Sequence, residues 1–190
     1  MSGQNGQPRL RAAYFDSLYR ANPDPWNYQL SRYESEKYAA TVAALPRRFT
    51  SGLEVGCSIG VLTALLAAHV DDLLAVDVSS VAIASARDRV PDVRFECREL
   101  PEDFPPGRFE LIVFSEVLYY LNPAALGEML DAVDVALTGS LLAVHRRRVG
   151  PGFQLAGAEV HERLAHRFGK PAHSATTPRY LLDRFDRAAP

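Results

Sequence analysis

The sequence predicts an α/β fold, an open sheet of seven strands, mostly parallel, with helices on both faces and an antiparallel pair at its end. Three observations carry this. From residue 51 short apolar runs alternate with helical stretches, the pattern of repeated βα units. A sharp turn, Gly56-Cys57-Ser58-Ile59-Gly60, joins the first run to a helix. The last two strand candidates lie too close together for a crossover helix, so they pair antiparallel.

In chain order, residues 1–8 are polar and Gly-rich and read as a disordered tail. Helical patterns follow at about 9–20 and 31–45, separated by "ANPDPWNY", a loop punctuated by two prolines and holding Trp26. Apolar runs at Leu53–Val55, Leu73–Val76, Val93–Phe95, Leu111–Phe114 and Leu141–Val144 read as strands. Between them, Leu126, Leu130, Val133 and Leu137 recur at i, i+4, i+7 and i+11, one face of a helix. Val160, Leu164 and Phe168 make a later helical stripe, and strand candidates near Ser174–Thr177 and Tyr180–Phe185 close the chain. No repeat or linker divides it, so 1–190 reads as one domain, a helical segment at 9–48 preceding a core at 49–190.

A chain of 190 residues can bury a full α/β core. With 47% apolar residues, 23% charged residues and a net charge of -2, it has the composition of a soluble globular protein. That charge gives no argument for nucleic acid or an acidic membrane as partner. The start shows no charged-then-apolar leader pattern, and no apolar run approaches the ~18 residues of a membrane span, so the expected location is the cytoplasm. Cys57 lies in the turn after the first strand and Cys97 at the end of the third, strands that are not neighbours, which puts the two roughly 9–10 Å apart and beyond disulfide reach. No Cys/His cluster has metal-ligand spacing, and no metal is expected.

The turn at 56–60 bends the backbone so that a ligand can approach without meeting a Cβ, and it delivers that ligand to a helix N-terminus. A dinucleotide, a phosphate or a charged sulfonium would each suit. Asp77, 17 residues after Gly60, ends the next strand, where a carboxylate can accept both hydroxyls of a ribose. The dinucleotide fingerprint fails twice, at Ser58 and Val61, and no Gly-Lys-Ser/Thr follows for a phosphate loop.

What remains resembles motif I of the class I S-adenosylmethionine-dependent methyltransferases, with Ser58 in place of the middle glycine. "LLAVDVS" is similar to motif II, "CRELP" stands where these enzymes hold adenine, and "FELIVFSEVLYYL" is similar to their fourth strand with the segment after it. More narrowly, "YFDSLYRANPDPWNYQLSRYESEKY", "EVGCSIGVLT" and "SEVLYYL" resemble the NodS-like nodulation N-methyltransferases over nearly the whole chain. That resemblance implies a Rossmann-like class I methyltransferase fold with a helical lid over 9–48, S-adenosylmethionine as cofactor and S-adenosylhomocysteine as product. It implies that Gly56, Cys57 and Gly60 line the cofactor through backbone and that Glu54 orients the turn. Asp77 would bind ribose, Val78 the adenine face, Glu99 and Leu100 the adenine edge, and Ser115 the methionyl end. The acceptor would be the amine of a sugar or sugar-containing small molecule, an oligosaccharide among them.

Open α/β sheets bind ligands at the C-terminal ends of their strands. Glu116, Tyr119 and Tyr120 follow the fourth strand and His145 ends the fifth, so these are the candidates to orient or deprotonate an acceptor. His145 is expected to face the substrate. Of the two tyrosines, which alternate if extended, at most one faces the site and the other joins the core. The "HRRR" run beginning at His145, with Arg146 foremost, reads either as a grip on an acceptor anion or as a solvated loop. Trp26, Tyr28, Arg32 and Tyr33 stand in the N-terminal segment, where rings can stack on a sugar face or simply anchor the loop. His161 reads as a helix-surface residue and a weaker substrate candidate. Competing functions are O-methylation of a small metabolite and a non-catalytic cofactor-binding module; a nicotinamide oxidoreductase fits Ser58 and Val61 less well.

Overall fold

The structure is a computed structural model and describes residues 10–187, so the tail expected at 1–8 lies outside the described residues. Two helices come first, α1 (Ala12–Ala21) and α2 (Arg32–Ala43). The core then runs β1 (Phe49–Val55), α3 (Val61–Leu66), β2 (Val70–Asp77), α4 (Ser80–Arg89), β3 (Arg94–Cys97) and β4 (Phe109–Ser115). A 3-10 turn at Leu118–Tyr120 leads into α5 (Pro123–Ala136), β5 (Leu137–Arg146), α6 (Gly157–Phe168), β6 (His173–Thr176) and β7 (Tyr180–Asp186). The seven strands form one sheet in the order β3-β2-β1-β4-β5-β7-β6. Strands β1 to β5 pair in parallel, and β7 lies antiparallel between β5 and β6. This is the Rossmann-like sheet, closed by an antiparallel strand, that the sequence resemblance implies.

The central strands are covered on both faces, which is why they read as unbroken apolar runs rather than alternating ones. In β4, Leu111, Ile112, Val113 and Phe114 are all fully buried. Ile112 and Phe114 meet Leu126, Leu130 and Val133 of α5 and Val160 of α6 on one face. Leu111 and Val113 meet Leu62 and Leu66 of α3 and Tyr38 of α2 on the other. Local chemistry starts the helices where they begin: the side chains of Ser31, Ser79 and Asn122 accept the N–H of Glu34, Ala82 and Ala125, and Pro123 fills a first-turn position that needs no donor.

Two boundaries differ from the sequence pattern for a physical reason. Leu137 closes no helical stripe; it is the first residue of β5, buried by its position next to α5 instead of by helical periodicity. Strand β5 is also longer than its apolar run: Thr138 and Gly139 stand at a register shift against β4, held by the Thr138 hydroxyl on the Phe109 carbonyl and the Arg187 N–H on the Gly139 carbonyl. Among the described residues no helix is long and apolar enough to cross a membrane.

Helix α6 presses so closely on β5 that a Cβ at Gly157 would sit 2.2 Å from the Arg146 carbonyl oxygen. Gly127, exposed in the middle of α5, has nothing within 4 Å of the same position. Gly157→Ala is therefore expected to lose about 1–3 kcal/mol by overpacking. Gly127→Ala is expected to gain roughly 0.5–1 kcal/mol through helix propensity. Thermal unfolding of the two variants checks the opposite signs.

Candidate functional site

The pocket opens at the C-terminal ends of β1, β2 and β4, beneath the N-terminal helices. Three residues of the turn after β1 take left-handed backbone: Gly56 at φ 76°, Ser58 at φ 51° and Gly60 at φ 78°. A Cβ on Gly56 would press 3.0 Å against Val117, so this glycine is needed for both its conformation and its space. Ser58 adopts the backbone that a middle glycine would take, and two contacts hold it there. Its N–H donates to Asp77 Oδ2 at 2.9 Å, and its hydroxyl lies 2.5 Å from the Tyr19 hydroxyl of α1. Gly60 stands off the pocket and lets α3 pack on Ala86 of α4.

Asp77 borders the pocket with both carboxylate oxygens oriented by backbone, Oδ1 accepting from Ser79 N–H and Oδ2 from Ser58 N–H, each at 2.9 Å. Burial raises its pKa while those hydrogen bonds pull it down. Val78, Leu100 and Ser115 line the same pocket. Glu99 does not; it turns outward to Arg11 at 2.7 Å. A smaller adjoining cavity is bordered by Cys57 and Glu54. Glu54 is buried, accepts the Thr63 hydroxyl at 2.6 Å, and has its pKa pushed up by burial to about 7.

Across the pocket stands Glu116, itself left-handed at φ 59°. Its Oε1 takes the Lys37 ammonium at 2.5 Å, and its Oε2 accepts the Tyr119 hydroxyl at 2.7 Å and the Arg146 N–H at 3.0 Å. Lys37 has no exposed surface and also reaches Glu34 at 2.7 Å. Phe15, Tyr19, Trp26, Tyr28 and Tyr120 complete an aromatic wall. Trp26 meets Tyr19 edge-on at 5.5 Å and stacks on Tyr28 at 5.7 Å, so it both anchors its loop and borders the pocket.

Several side chains expected at the site are placed elsewhere. His145 is fully buried outside the pocket, because it projects toward the face that α6 covers and its ring meets His161 there. His161 is correspondingly a buried residue, not a helix-surface one. Tyr119 is core, stacked on Phe153 at 3.6 Å, and the 3-10 turn leaves Tyr120 as the tyrosine that faces the pocket. Arg32 is 92% exposed and paired with Glu36, while Tyr33 lies under Arg179 at 4.2 Å. Arg146 contributes its backbone N–H to Glu116, and its side chain does not line the pocket. Arg147 and Arg148 are exposed, as in a solvated loop. Lys37 was missed by sequence reasoning. The signal was there: Glu34, Lys37, Tyr38, Thr41 and Ala44 fall on one face of α2, an inward stripe with two opposite charges in it.

Residues 17–172 match the family described as Nodulation protein S (NodS). The chain belongs to the NodS family. A Nodulation protein S from Sinorhizobium fredii is 31% identical over 153 residues, covering 74% of this chain and 69% of that protein. A crystal structure of a candidate methyltransferase from Pseudomonas syringae is 40% identical, with a TM-score of 0.73 over 83% of this chain and 100% of that one. The N-methyltransferase NodS from Bradyrhizobium japonicum WM9, crystallised with S-adenosylhomocysteine, shares the fold at 24% identity, with a TM-score of 0.72 over 90% of this chain and 96% of that one. As a NodS-family member with this fold, the chain is an S-adenosylmethionine-dependent methyltransferase.

In this NodS-family chain the raised pKa of Glu54 sets a pH dependence. A carboxyl whose folded pKa lies above its unfolded value contributes stability at low pH that is lost as pH rises through the folded pKa. Wild-type stability is therefore expected to fall between roughly pH 5 and 8, by on the order of 2–3 kcal/mol from this group. Glu54→Gln, which can still accept the Thr63 hydroxyl, is expected to flatten that part of the profile. Denaturant titrations of both proteins across the range provide the check.

Proposed function

We propose that this chain transfers a methyl group from S-adenosylmethionine to an amine of a sugar or sugar-containing small molecule. The residues present suit the cofactor. Gly56 lets a ligand meet bare backbone, and Asp77 is pre-oriented to accept ribose hydroxyls. Val78 and Leu100 would offer apolar walls to adenine, Ser115 would meet the methionyl end, and Glu54 and Cys57, which border the adjoining cavity, would support the turn. When bound, the cofactor supplies an electrophilic methyl group on a sulfonium. Residues 10–28 contribute Leu10, Phe15, Tyr19, Trp26 and Tyr28 to the pocket, which supports reading the N-terminal segment as a lid. We place the enzyme in the cytoplasm, with small molecules or oligosaccharides as acceptors.

The observation that carries the amine reading is the state of Glu116. Both of its oxygens already accept from Lys37, Tyr119 and Arg146, so this pocket-lining carboxylate is engaged in structural hydrogen bonds rather than offered to an acceptor. Tyr28 and Tyr120 keep their phenolic protons, because burial and the Glu116 charge push their pKa values up. His145 lies outside the pocket. A hydroxyl acceptor depends on a general base worth about 10²–10⁴-fold, whereas a neutral amine is already nucleophilic. What it needs is alignment, worth roughly 7–11 kcal/mol in well-oriented reactions. An aromatic wall that excludes water also favours the unprotonated amine.

Two outcomes are expected. Asp77→Ala removes the ribose acceptor, a loss of roughly 1.5–3 kcal/mol for a charged hydrogen bond, so calorimetry with S-adenosylhomocysteine is expected to show affinity lower by one to two decades. Incubated with a chitooligosaccharide carrying one free amine, the enzyme is expected to give an N-methyl product by mass fragmentation. Its rate is expected to rise with pH as that amine, with a pKa near the ~7.7–8 of an α-amino group, deprotonates. An O-methyl product, or a rate indifferent to amine ionisation, would overturn the amine reading.

A further inference from the structure

We propose that His145, His161 and Asp183 form a directional hydrogen-bond relay that positions the pocket wall at residues 115–121, with His145 as the positioning residue. The direction follows from one group that can only donate. The Leu118 N–H points at His145 Nε2 at 3.3 Å, so that nitrogen carries no proton. A neutral imidazole then bears its proton on Nδ1, which lies 3.1 Å from His161 Nε2 and donates to it. His161 must in turn be protonated on Nδ1, which lies 2.6 Å from Asp183 Oδ2. The other oxygen of Asp183 accepts the Ser174 hydroxyl. The relay thus joins the turn after β4 to β5, α6, β7 and β6 in sequence.

Its surroundings keep it in that state. Burial, then His161, then Lys37 hold His145 well below the usual imidazole range, and the Tyr119 ring lies edge-on to it at 5.5 Å. At the far end burial opposes ionisation of Asp183, but the bonds from His161 and Ser174 keep its carboxyl below its ordinary value. Two imidazoles buried this deeply would cost free energy at a position that only filled space. What they support is a strained segment. Glu116 is left-handed, its N–H donates to Val144 O at 2.9 Å, and its side chain takes the Arg146 N–H at 3.0 Å. Strand β5 therefore clamps the turn at Glu116, and His145 adds the clamp at Leu118, just before Tyr120. The turn supplies Ser115, Glu116, Val117, Tyr120 and Leu121 to the pocket. This role holds whatever the acceptor is.

The test reads the relay directly and then its effect on binding. Long-range ¹H–¹⁵N spectra of the wild-type protein are expected to show both histidines as neutral Nδ1–H tautomers; an Nε2–H proton on His145 overturns the proposal, whether or not any variant folds. Calorimetry with S-adenosylhomocysteine then compares His145→Gln, whose amide oxygen can still accept from Leu118, with His145→Leu, which cannot. His145→Leu is expected to bind about tenfold more weakly, the order that one unpaired buried donor brings, and His145→Gln within about threefold of wild type. Equal affinity for the two variants, with both merely less heat-stable, would show a packing role alone and overturn it.

Discussion

The ammonium of Lys37 is the contact on which the site is assembled. A buried cation costs several kcal/mol unless its partners are close and well aligned. Here Glu34 stands at 2.7 Å and Glu116 at 2.5 Å, and the rings of Tyr33 and Tyr38 lie 5.1 and 5.8 Å away. Glu34 and Lys37 belong to α2, while Glu116 follows β4, so satisfying the charge fixes where the N-terminal helices sit over the sheet. Glu116 passes the constraint on to Tyr119 and to the backbone of β5. Helix position, pocket wall and the seam between β4 and β5 are thereby one structure.

The same pair sets the electrostatics an acceptor meets. A lone carboxylate in that wall would draw and hold an ammonium, the unreactive form of an amine. Paired with Lys37, it presents little net charge, and its remaining oxygen is filled by a phenol and an amide. On the proposed reading, selectivity would rest on shape and on the aromatic surfaces that Trp26, Tyr28 and Tyr120 present to the pocket. Asp77, by contrast, is oriented by backbone amides, which on the proposed reading leaves it acceptor capacity for ribose hydroxyls.

The sheet was legible because its central strands are buried on both faces, and a run such as Leu111–Phe114 has no other good use. Strand ends were less legible, since Thr138 and Gly139 belong to β5 at a register shift and carry no apolar signature. Gly56 and Asp77 could be placed at the pocket because turn chemistry and strand-end position together fix where they stand, whereas Val78 and Leu100 came from the family resemblance. His145 could not be placed by that logic: a strand end locates a backbone, and which face the side chain takes depends on the neighbouring pairings. Lys37 escaped for a different reason. Charge in a sequence suggests solvent, and only the stripe shared with Tyr38 and Thr41 marks this lysine as internal.

Ser58 departs from the glycine-rich pattern, and the structure answers that departure at Tyr19, whose hydroxyl it meets at 2.5 Å. Reverting the serine to glycine would ease the backbone but strand a phenol that is only 5% exposed. Removing the phenol instead would leave a non-glycine residue in left-handed backbone with less to hold it. Each change alone leaves a partner unsatisfied, so the two together are expected to cost less than the sum of their separate effects. The two positions are thus energetically coupled: the worth of a serine in this turn depends on a phenol carried by a helix 39 residues away in the chain.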